Sequence, residues 1–482
     1  MPMKRTIGLV LAAALIAATG AQAQTSSVQR KQYEDGGVYD GTFRNGLQHG
    51  TGSYTLPNGY SYTGEWVDGE IRGQGRAVFP NGSVYDGSFV AGKPEGEGMI
   101  TYIDGGTYEG TWVDGKINGT GIAKYANDIT YEGEFKDAMH HGTGLLRSAT
   151  GYTYDGEWMD GVKEGQGTIT YPDGAVYVGS LVGDKRDGQG RLEMPNGLIY
   201  DGEWFQGQIQ GQGTLTQSNG DIYVGALLGG KRQGDGTVTY ANGDTYVGTF
   251  ENDRRHGMGT FTGTDGYTYI GEWTEGVIQG QGTVTYPDGS VYEGAFVADL
   301  ADGIGKITYP DGSTYEGDWV AGVIDGTGKA TYANGLVYEG AFKNAKNEGF
   351  GVMTFGESYR YEGNWSDGKR NGQGTATYAD GTEYSGGFVD GQRSGNGAIT
   401  MSDGFKYEGE WLTGEIHGAG VATYANGDVY QGNFQAGRRQ GEGTMRYASG
   451  AVASGQWNEG ELDQDTATTT PAPAASETAA TE

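Results

Sequence analysis

Apolar and polar residues alternate along the chain in short runs. Residues 315–319 read YEGDW, so Tyr, Gly and Trp share one face of a strand and the two acids share the other. Residues 328–332 read GKATY and continue the alternation. The residues that follow, Ala333-Asn334-Gly335, form a tight-turn signal because Gly tolerates positive φ. The pattern predicts pairs of strands with one apolar face and one polar face.

This pair of strands recurs every 23 residues without an insertion or a deletion. Steps of 23 from Tyr39 meet Tyr at eighteen consecutive positions, the last being Tyr430, and then meet Ala453. Gly follows two residues after each of these positions, and Trp, Phe or, twice, Leu follows two residues later. Two more glycines come eleven and thirteen residues after each Tyr. A fixed period of this length indicates a repeat array.

The repeat reads Y-x-G-x-[WF], a loop, G-x-G, a short run and [PA]-[DN]-G, and it resembles the MORN (membrane occupation and recognition nexus) repeat. The resemblance covers residues 39–460, with a half repeat before it. It implies an all-β fold, an elongated single-layer twisted array of antiparallel β-hairpins. It also implies a scaffold that offers a long aromatic groove to a protein partner or to a second copy. The expected groove residues are Tyr62, Trp66, Tyr108, Trp112, Tyr154, Trp158, Tyr200, Trp204, Tyr269, Trp273, Tyr315, Trp319, Tyr361, Trp365, Tyr407 and Trp411.

The glycines within the strands have a packing role in this interpretation. An aromatic ring needs room to lie flat across the neighbouring strand, and a glycine such as Gly317 provides that room. Trp mostly alternates with Phe from repeat to repeat, and many Trp repeats carry Ala on their second strand, as Trp66 and Ala77 do. Because close packing matches large residues with small ones, we expect these two positions to touch.

The central repeats depart from the pattern. Apolar residues stand on the solvent-facing side, where most repeats have Asp or Glu, and Leu twice replaces the inward aromatic residue. These candidate interaction residues are Val178, Val224, Val247, Ile270, Leu181 and Leu227. Exposed apolar patches usually mark contacts, so a partner or dimer contact is one interpretation. Drift among repeats, with the good β-propensity of Val and Ile, is the other.

Composition and charge narrow the possible partners. The chain has 95 Gly, which would suggest disorder, but its 34 Tyr and 9 Trp argue against that class. The net charge of −30 disfavours nucleic acid as a partner and disfavours direct contact with anionic lipid.

The two ends differ from the array. Lys4 and Arg5, a short apolar run and the A-x-A pattern at residues 21–23 predict a cleaved signal peptide over residues 1–23. Together with the absence of Cys, this predicts a bacterial periplasmic or secreted protein. We assign residues 24–32 to a polar leader, residues 33–460 to the repeat array and residues 461–482 to a disordered tail.

No catalytic constellation stands out in the sequence. The carboxylates recur with the repeats, and four of the five His residues share one loop position, so only the adjacent His140 and His141 could contribute two ligands to one metal. We therefore expect a non-catalytic protein without a cofactor. The alternative to a protein-binding scaffold is a cell-envelope binding module for membrane lipid or for peptidoglycan, because Tyr and Trp rings can stack on sugars.

Overall fold

The computed structural model describes residues 27–473, which form strands and tight turns. Across these residues no helix is long and apolar enough to cross a membrane. The signal peptide expected at residues 1–23 lies outside the described residues. Internal contacts divide the chain into two units, residues 1–208 and residues 209–482, and each unit is treated by itself.

The strands of the first unit are β1 (Val28–Gln32), β2 (Val38–Arg44), β3 (Leu47–Thr55), β4 (Ser61–Val67), β5 (Glu70–Val78), β6 (Val84–Val90), β7 (Lys93–Thr101), β8 (Thr107–Val113), β9 (Lys116–Lys124), β10 (Thr130–Lys136), β11 (Met139–Arg147), β12 (Thr153–Met159), β13 (Val162–Thr170), β14 (Val176–Val182), β15 (Lys185–Glu193) and β16 (Ile199–Phe205).

The strands of the second unit, the first of which begins at the boundary residue Gln208, are β17 (Gln208–Thr216), β18 (Ile222–Leu228), β19 (Lys231–Thr239), β20 (Thr245–Glu251), β21 (Arg254–Thr262), β22 (Thr268–Thr274), β23 (Val277–Thr285), β24 (Val291–Val297), β25 (Leu300–Thr308), β26 (Thr314–Val320), β27 (Val323–Thr331), β28 (Leu336–Lys343), β29 (Lys346–Phe355), β30 (Tyr359–Ser366), β31 (Lys369–Tyr378), β32 (Glu383–Val389), β33 (Gln392–Thr400), β34 (Lys406–Leu412), β35 (Glu415–Thr423), β36 (Val429–Gln435), β37 (Arg438–Arg446), β38 (Val452–Asn458), β39 (Glu461–Leu462) and β40 (Thr468–Thr470).

Each repeat is a hairpin made of a first strand, usually of seven residues, and a second strand, usually of nine. In the hairpin β26–β27, Tyr315 stands opposite Ala330 and Gly317 opposite Gly328. The second strand then pairs antiparallel with the first strand of the next repeat, so Gly328 also stands opposite Gly340. Each unit is therefore an open, single-layer antiparallel sheet, which confirms the predicted fold class.

The turn inside each hairpin has two central residues in the left-handed region. Asp68 and Gly69 have φ values of 49° and 92°. This is the geometry of a type I′ turn, whose twist matches that of the flanking strands. In the turn at Asn344 and Ala345, φ is 49° and 61°, so Ala345 holds a conformation that favours glycine.

A β-bulge in the first strand gives each core tyrosine its hydrogen-bond acceptor. The register of β26 with β27 shifts between Gly317 and Trp319 and passes over Asp318. The hydroxyl of Tyr315 donates to the carbonyl oxygen of Asp318 at 3.0 Å. The same bond, from Tyr to the residue three positions later, is present in all eighteen Tyr repeats. The ring of the tyrosine thus stays in the core while its polar tip is satisfied.

The paired glycines form the floor beneath the tyrosine rings. A Cβ placed on Gly328 would lie 2.5–2.6 Å from ring and hydroxyl atoms of Tyr315, and one on Gly317 would lie 2.5 Å from the Cα of Gly328. This confirms the packing role predicted for the glycines. The last repeat is consistent with it, because Ala453 replaces the tyrosine there and the 23-residue period meets Thr466 where other repeats have the second-strand glycine.

The aromatic rings of successive repeats touch edge to face. The ring centroid of Tyr292 lies 5.1 Å from those of both Phe296 and Trp319, at interplanar angles of 82° and 80°. The ring quadrupoles favour this arrangement. The ring of Trp66 lies 6.1 Å from that of Tyr54, which holds the position of Ala77 in the preceding repeat. The expected contact between Trp66 and Ala77 within one repeat stays a prediction. The Trp side chain leans back toward the preceding hairpin.

Both ends of the array extend beyond their predicted bounds. Val28–Gln32, assigned from the sequence to a polar leader, forms β1 and pairs with β2. Glu461–Leu462 and Thr468–Thr470, assigned to a disordered tail, form β39 and β40 and pair with β38. These assignments are corrected because the main-chain groups of the terminal repeats take these segments as partners. The part of the predicted tail after residue 473 lies outside the described residues.

Candidate interaction surface

The face of the sheet that carries the tyrosines, here called the core face, is filled rather than open. Of the sixteen expected groove residues, the Tyr side chains are at most 2% exposed and the Trp side chains at most 8%. The ring of Tyr315, for example, is covered edge-on by Trp319 of its own repeat and by Phe342 of the next. The open aromatic groove expected from the sequence is therefore corrected to a packed core. The same rings supply the apolar burial that a single-layer sheet would otherwise lack.

A further position, which was not identified from the sequence, covers the aromatic rings of the core face. The second residue of the second strand is often Arg, and the Arg255 guanidinium lies 3.9 Å from the ring centroid of Trp273. Its Nη2 also donates to the carbonyl oxygen of Gly276 at 2.9 Å. Arg439 lies 4.3 Å from the ring of Trp457 in the same way. Cation–π contact and stem packing thus cover the rings, and the recurrence of Arg at this position was the available signal.

The core tyrosines are structural groups and remain neutral near pH 7. Burial raises the pKa of Tyr62, Tyr108 and Tyr292 to about 12. Their hydroxyls are engaged with backbone carbonyls, so they have no substrate-facing proton to transfer. These three hydroxyls therefore serve hydrogen bonding within their own repeats.

His140 occupies the covering position of its own repeat. Its ring stacks on that of Tyr131 with centroids 3.7 Å apart, and its Nε2 lies 2.7 Å from the hydroxyl oxygen of Tyr125. Burial, followed by the charge of Lys163, lowers the pKa of His140 to about 4. The neighbouring His141 instead lies 3.6 Å from the carboxylate of Asp160. Among residues 27–473 no group of three or more His, Cys, Asp and Glu side chains could hold a metal ion.

The opposite face, here called the outer face, carries an uncharged row in the second unit. Val224, Val247 and Ile270 are 52%, 54% and 54% exposed, as the sequence analysis expected. Cross-strand pairing places a threonine between neighbouring members of this set and one at each end of it. We call this set the outer row. Its members are Thr214, Val224, Thr237, Val247, Thr260, Ile270 and Thr283.

Two further apolar side chains stand beside the outer row and were missed from the sequence. Met258 is 60% exposed and Ile304 is 65% exposed. Both occupy the middle position of a G-x-G segment, where other repeats mostly carry polar residues, and that was the available signal. With Ile270 they line a shallow cavity of about 570 Å³ over paired glycines such as Gly271 and Gly282. Glu293 and Glu316 stand at the same cavity.

The other sequence candidates fall in different places. Val178 belongs to the first unit and is 50% exposed on the outer face. Leu181 and Leu227 are buried, because they take the core position that Trp or Phe fills in other repeats. Their assignment as interaction residues is corrected: they replace an aromatic ring inside the sheet and are not accessible to a partner.

The repeat geometry and the family comparison agree. The MORN repeat family model matches eighteen consecutive segments of the chain, from residues 39–59 through residues 430–452. The chain belongs to the MORN repeat family. In this chain, each MORN repeat that carries the tyrosine therefore combines the packing of Tyr on paired glycines with the β-bulge described above.

The individual proteins that resemble this chain either share only a short segment with it or have low sequence identity. Alsin of Rattus norvegicus is 47% identical over 49 residues, which is 9% of this chain and only 3% of alsin. Among solved structures, the chain is similar to the TCP domain of Drosophila melanogaster dCPAP in complex with a proline-rich motif of dSTIL, with a TM-score of 0.22, 15% identity, and coverage of 32% of this chain and 85% of that one. The TCP10 domain of Danio rerio CPAP gives a TM-score of 0.21 at 15% identity, with 46% and 93% coverage. These low scores carry no argument about function.

Proposed function

We propose that this MORN repeat protein is a non-catalytic scaffold that docks a protein partner on the outer face of its second unit. The observation that carries the proposal is the outer row, where seven consecutive uncharged side chains, including the exposed Val224, Val247 and Ile270, interrupt a strongly acidic chain. Hydrophobic side chains exposed in one row, here separated by threonines, gain free energy when a partner covers them. The core face supports the proposal indirectly, because its rings are already covered.

The surroundings of the outer row indicate the chemistry of the partner. Met258, Ile270 and Ile304 line a shallow site with a glycine floor, which suits an extended segment with apolar side chains. Glu293 and Glu316 border this site on either side of Lys306, which leaves one net negative charge there, and the chain as a whole carries a net charge of −30. Basic residues beside the apolar ones would complement that charge. The proposed occupant is therefore an extended, apolar protein segment flanked by Lys or Arg.

Selection from a displayed library of random twelve-residue peptides tests this proposal. The full chain is expected to enrich peptides that combine apolar residues with Lys or Arg. The double variant Val247→Glu, Ile270→Glu places two charges in the outer row and is expected to weaken binding of the selected peptides at least tenfold. Val320→Glu, Val389→Glu is the matched control, since these side chains are 54% and 52% exposed on the same unit but lie at strand ends.

Two results would count against the outer row as the docking site. One is equal binding of the selected peptides by both double variants. The other is enrichment of acidic or wholly polar peptides, because such peptides could gain little from the apolar side chains. Circular dichroism of both variants checks that the substitutions leave the sheet intact.

Glycan binding in the cell envelope is the second candidate, and the turn tyrosines favour it. Tyr309 and Tyr332 stand one repeat apart and are 37% and 40% exposed, so parts of their rings are open to solvent. Exposed aromatic rings can stack on sugar rings. Binding to purified peptidoglycan that resists high salt and is lost in Tyr309→Ala, Tyr332→Ala would support this candidate. Direct lipid binding is less favoured because the chain is strongly acidic.

The proposed setting is the periplasm or the exterior of a bacterial cell. It rests on the export signal in the sequence, with Lys4 and Arg5 before a short apolar run and an A-x-A pattern at residues 21–23. N-terminal sequencing of the protein isolated from cell fractions tests this setting. A mature chain that begins at Gln24 is expected, and an intact Met1 would overturn the proposal.

A further inference from the structure

The first strand of the sheet is half of an incomplete repeat. Gln32 of β1 pairs with Val38, as Thr55 pairs with Ser61 one repeat later, so β1 stands in the place of a second strand. Within the described residues β1 pairs with β2, and no first strand flanks its other edge. All five residues of β1 are exposed. Among residues 27–473, the main-chain groups of this edge have no partner strand and could pair with one.

At the other end of the array the last repeat has a first strand but no continuous second strand. β38 is a first strand, and the second strand that should follow it is broken into β39 and β40. Val452 pairs with Thr470, whereas the register of the preceding repeat, Val429 with Arg446, would place residue 469 there. β40 makes three residue pairs with β38, while β1 makes five with β2. β38 is therefore closed by a short strand that is one residue out of register.

We propose that β1 of a second copy of this chain pairs with β38, and that residues 463–470 form a built-in cap that competes for the same edge. The repeat order alternates first and second strands, so β1 lacks the neighbour that β38 would supply. The register of the other repeats would place Ala453 opposite Lys31 and Gly455 opposite Gln29 of the second copy. The sheet of one molecule would thereby continue into the sheet of the next.

Charge favours this pairing over contact between other surfaces. β1 carries Arg30 and Lys31 and no carboxylate, whereas the chain as a whole has a net charge of −30. At the other end, Glu459 and Glu461 are exposed, and Glu459 is paired with Arg438 at 2.7 Å. A strand without carboxylates is repelled less by a second acidic copy than an acidic surface would be. Because the two surfaces differ, each added copy leaves one free end of each kind, so the contact is heterologous.

The cap holds its place because it is tethered. A short strand on the same chain has a high effective concentration at its edge, which offsets its small number of pairs. Removal of the cap leaves β38 open to β1 of another copy. The exposed side chains of Thr468, Thr469 and Thr470 contribute little burial that would hold β40 there independently.

Sedimentation velocity over a range of protein concentrations tests the proposal. The chain that ends at Leu462 is expected to self-associate at least tenfold more tightly than the full chain, and less tightly as salt is raised. Adding Arg30→Glu, Lys31→Glu to the shortened chain is expected to restore the behaviour of the full chain. Lys306→Glu, Lys329→Glu is the matched control, because it makes the same change in charge at exposed residues on the outer face and should leave the association in place.

A synthetic peptide of residues 27–33 provides a second measurement that does not depend on the folding of a variant. It is expected to bind the shortened chain, to block its self-association and to bind the full chain at least tenfold more weakly. A shortened chain that associates no better than the full chain would overturn the proposal. So would association that persists in the Arg30→Glu, Lys31→Glu variant, because another surface would then be responsible.

Discussion

The ring of Tyr315 lies directly on Gly328, at the place where any other residue would carry its Cβ. The two residues belong to neighbouring strands of one hairpin, and their contact recurs through the array with the 23-residue period. It explains why a sheet one layer thick can bury large aromatic side chains. The glycine leaves space for the tyrosine ring, the bulge supplies a carbonyl oxygen that accepts from its hydroxyl, and a ring of the adjacent repeat packs against its edge.

The substitution Gly328→Ala is expected to destabilise its hairpin by about 2 kcal/mol, because the added methyl group would overlap the ring of Tyr315. Hydrogen exchange of the β26 and β27 amides measures this cost, since stability in a repeat array is largely local. In a Tyr315→Ala background the same glycine substitution should cost much less. Equal costs in the two backgrounds would show that the ring is not the obstacle.

Alkaline pH is expected to unfold the sheet as the core tyrosines ionise. Burial raises the pKa of Tyr62, Tyr108 and Tyr292 to about 12, whereas the unfolded chain releases these protons near pH 10. Their contribution to stability is complete below pH 10 and is lost as pH rises through about 12. Phenolate absorbance and far-UV circular dichroism should therefore change together over this range. Full phenolate absorbance from a chain that keeps its sheet would contradict the account.

Ala345→Gly is expected to stabilise the protein by about 1 kcal/mol, because the φ of 61° at this turn position costs an alanine more than a glycine. Thermal unfolding and amide exchange at the β28–β29 turn would measure the gain. The matched substitution in the preceding hairpin is Gly322→Ala, at a φ of 83°. It should destabilise by a similar amount. A loss of stability in Ala345→Gly would mean that the alanine methyl group contributes packing that outweighs the turn strain.

Acid is expected to weaken the repeat that contains His140. Burial holds the pKa of His140 at about 4, below its ordinary value of 6.5, so the folded repeat favours the neutral ring. The contribution to stability is complete above pH 6.5 and is lost as pH falls toward 4. His140→Ile copies the residue found at Ile117 and should remove this dependence from the amide exchange of β10 and β11. His417→Gln, at a different position in the repeat, should leave the pH dependence unchanged. A pH dependence that persists in His140→Ile and disappears in His417→Gln would refute the role of His140.

The sequence predicted the strands, their pairing and the role of the glycines because all three follow from a strict repeat. It could not predict that the Tyr and Trp side chains are buried, since that depends on how rings from successive hairpins cover one another. It placed Val247 and Ile270 correctly on the outer face by simple alternation. It misplaced Leu181 and Leu227, because their replacement of Trp or Phe was interpreted as part of a surface rather than as part of the core.

The ends of the array were the hardest part to predict. Residues 28–32 lack the glycines and aromatic residues of the repeat, so no local signal marked them as a strand. β40 lies in a Thr-rich segment that by composition alone favours disorder. Both are strands because an open sheet edge accepts any segment that can supply main-chain hydrogen bonds, and such pairing depends little on side-chain identity.

Capture from a cell-envelope extract tests the central claim, the docking surface on the outer face of the second unit, most directly. Three baits are compared: the mature chain, Val247→Glu, Ile270→Glu, and the control Val320→Glu, Val389→Glu. We expect one protein that is held by the mature chain and by the control and is lost from the outer-row variant. Capture of the same material by all three baits would contradict it.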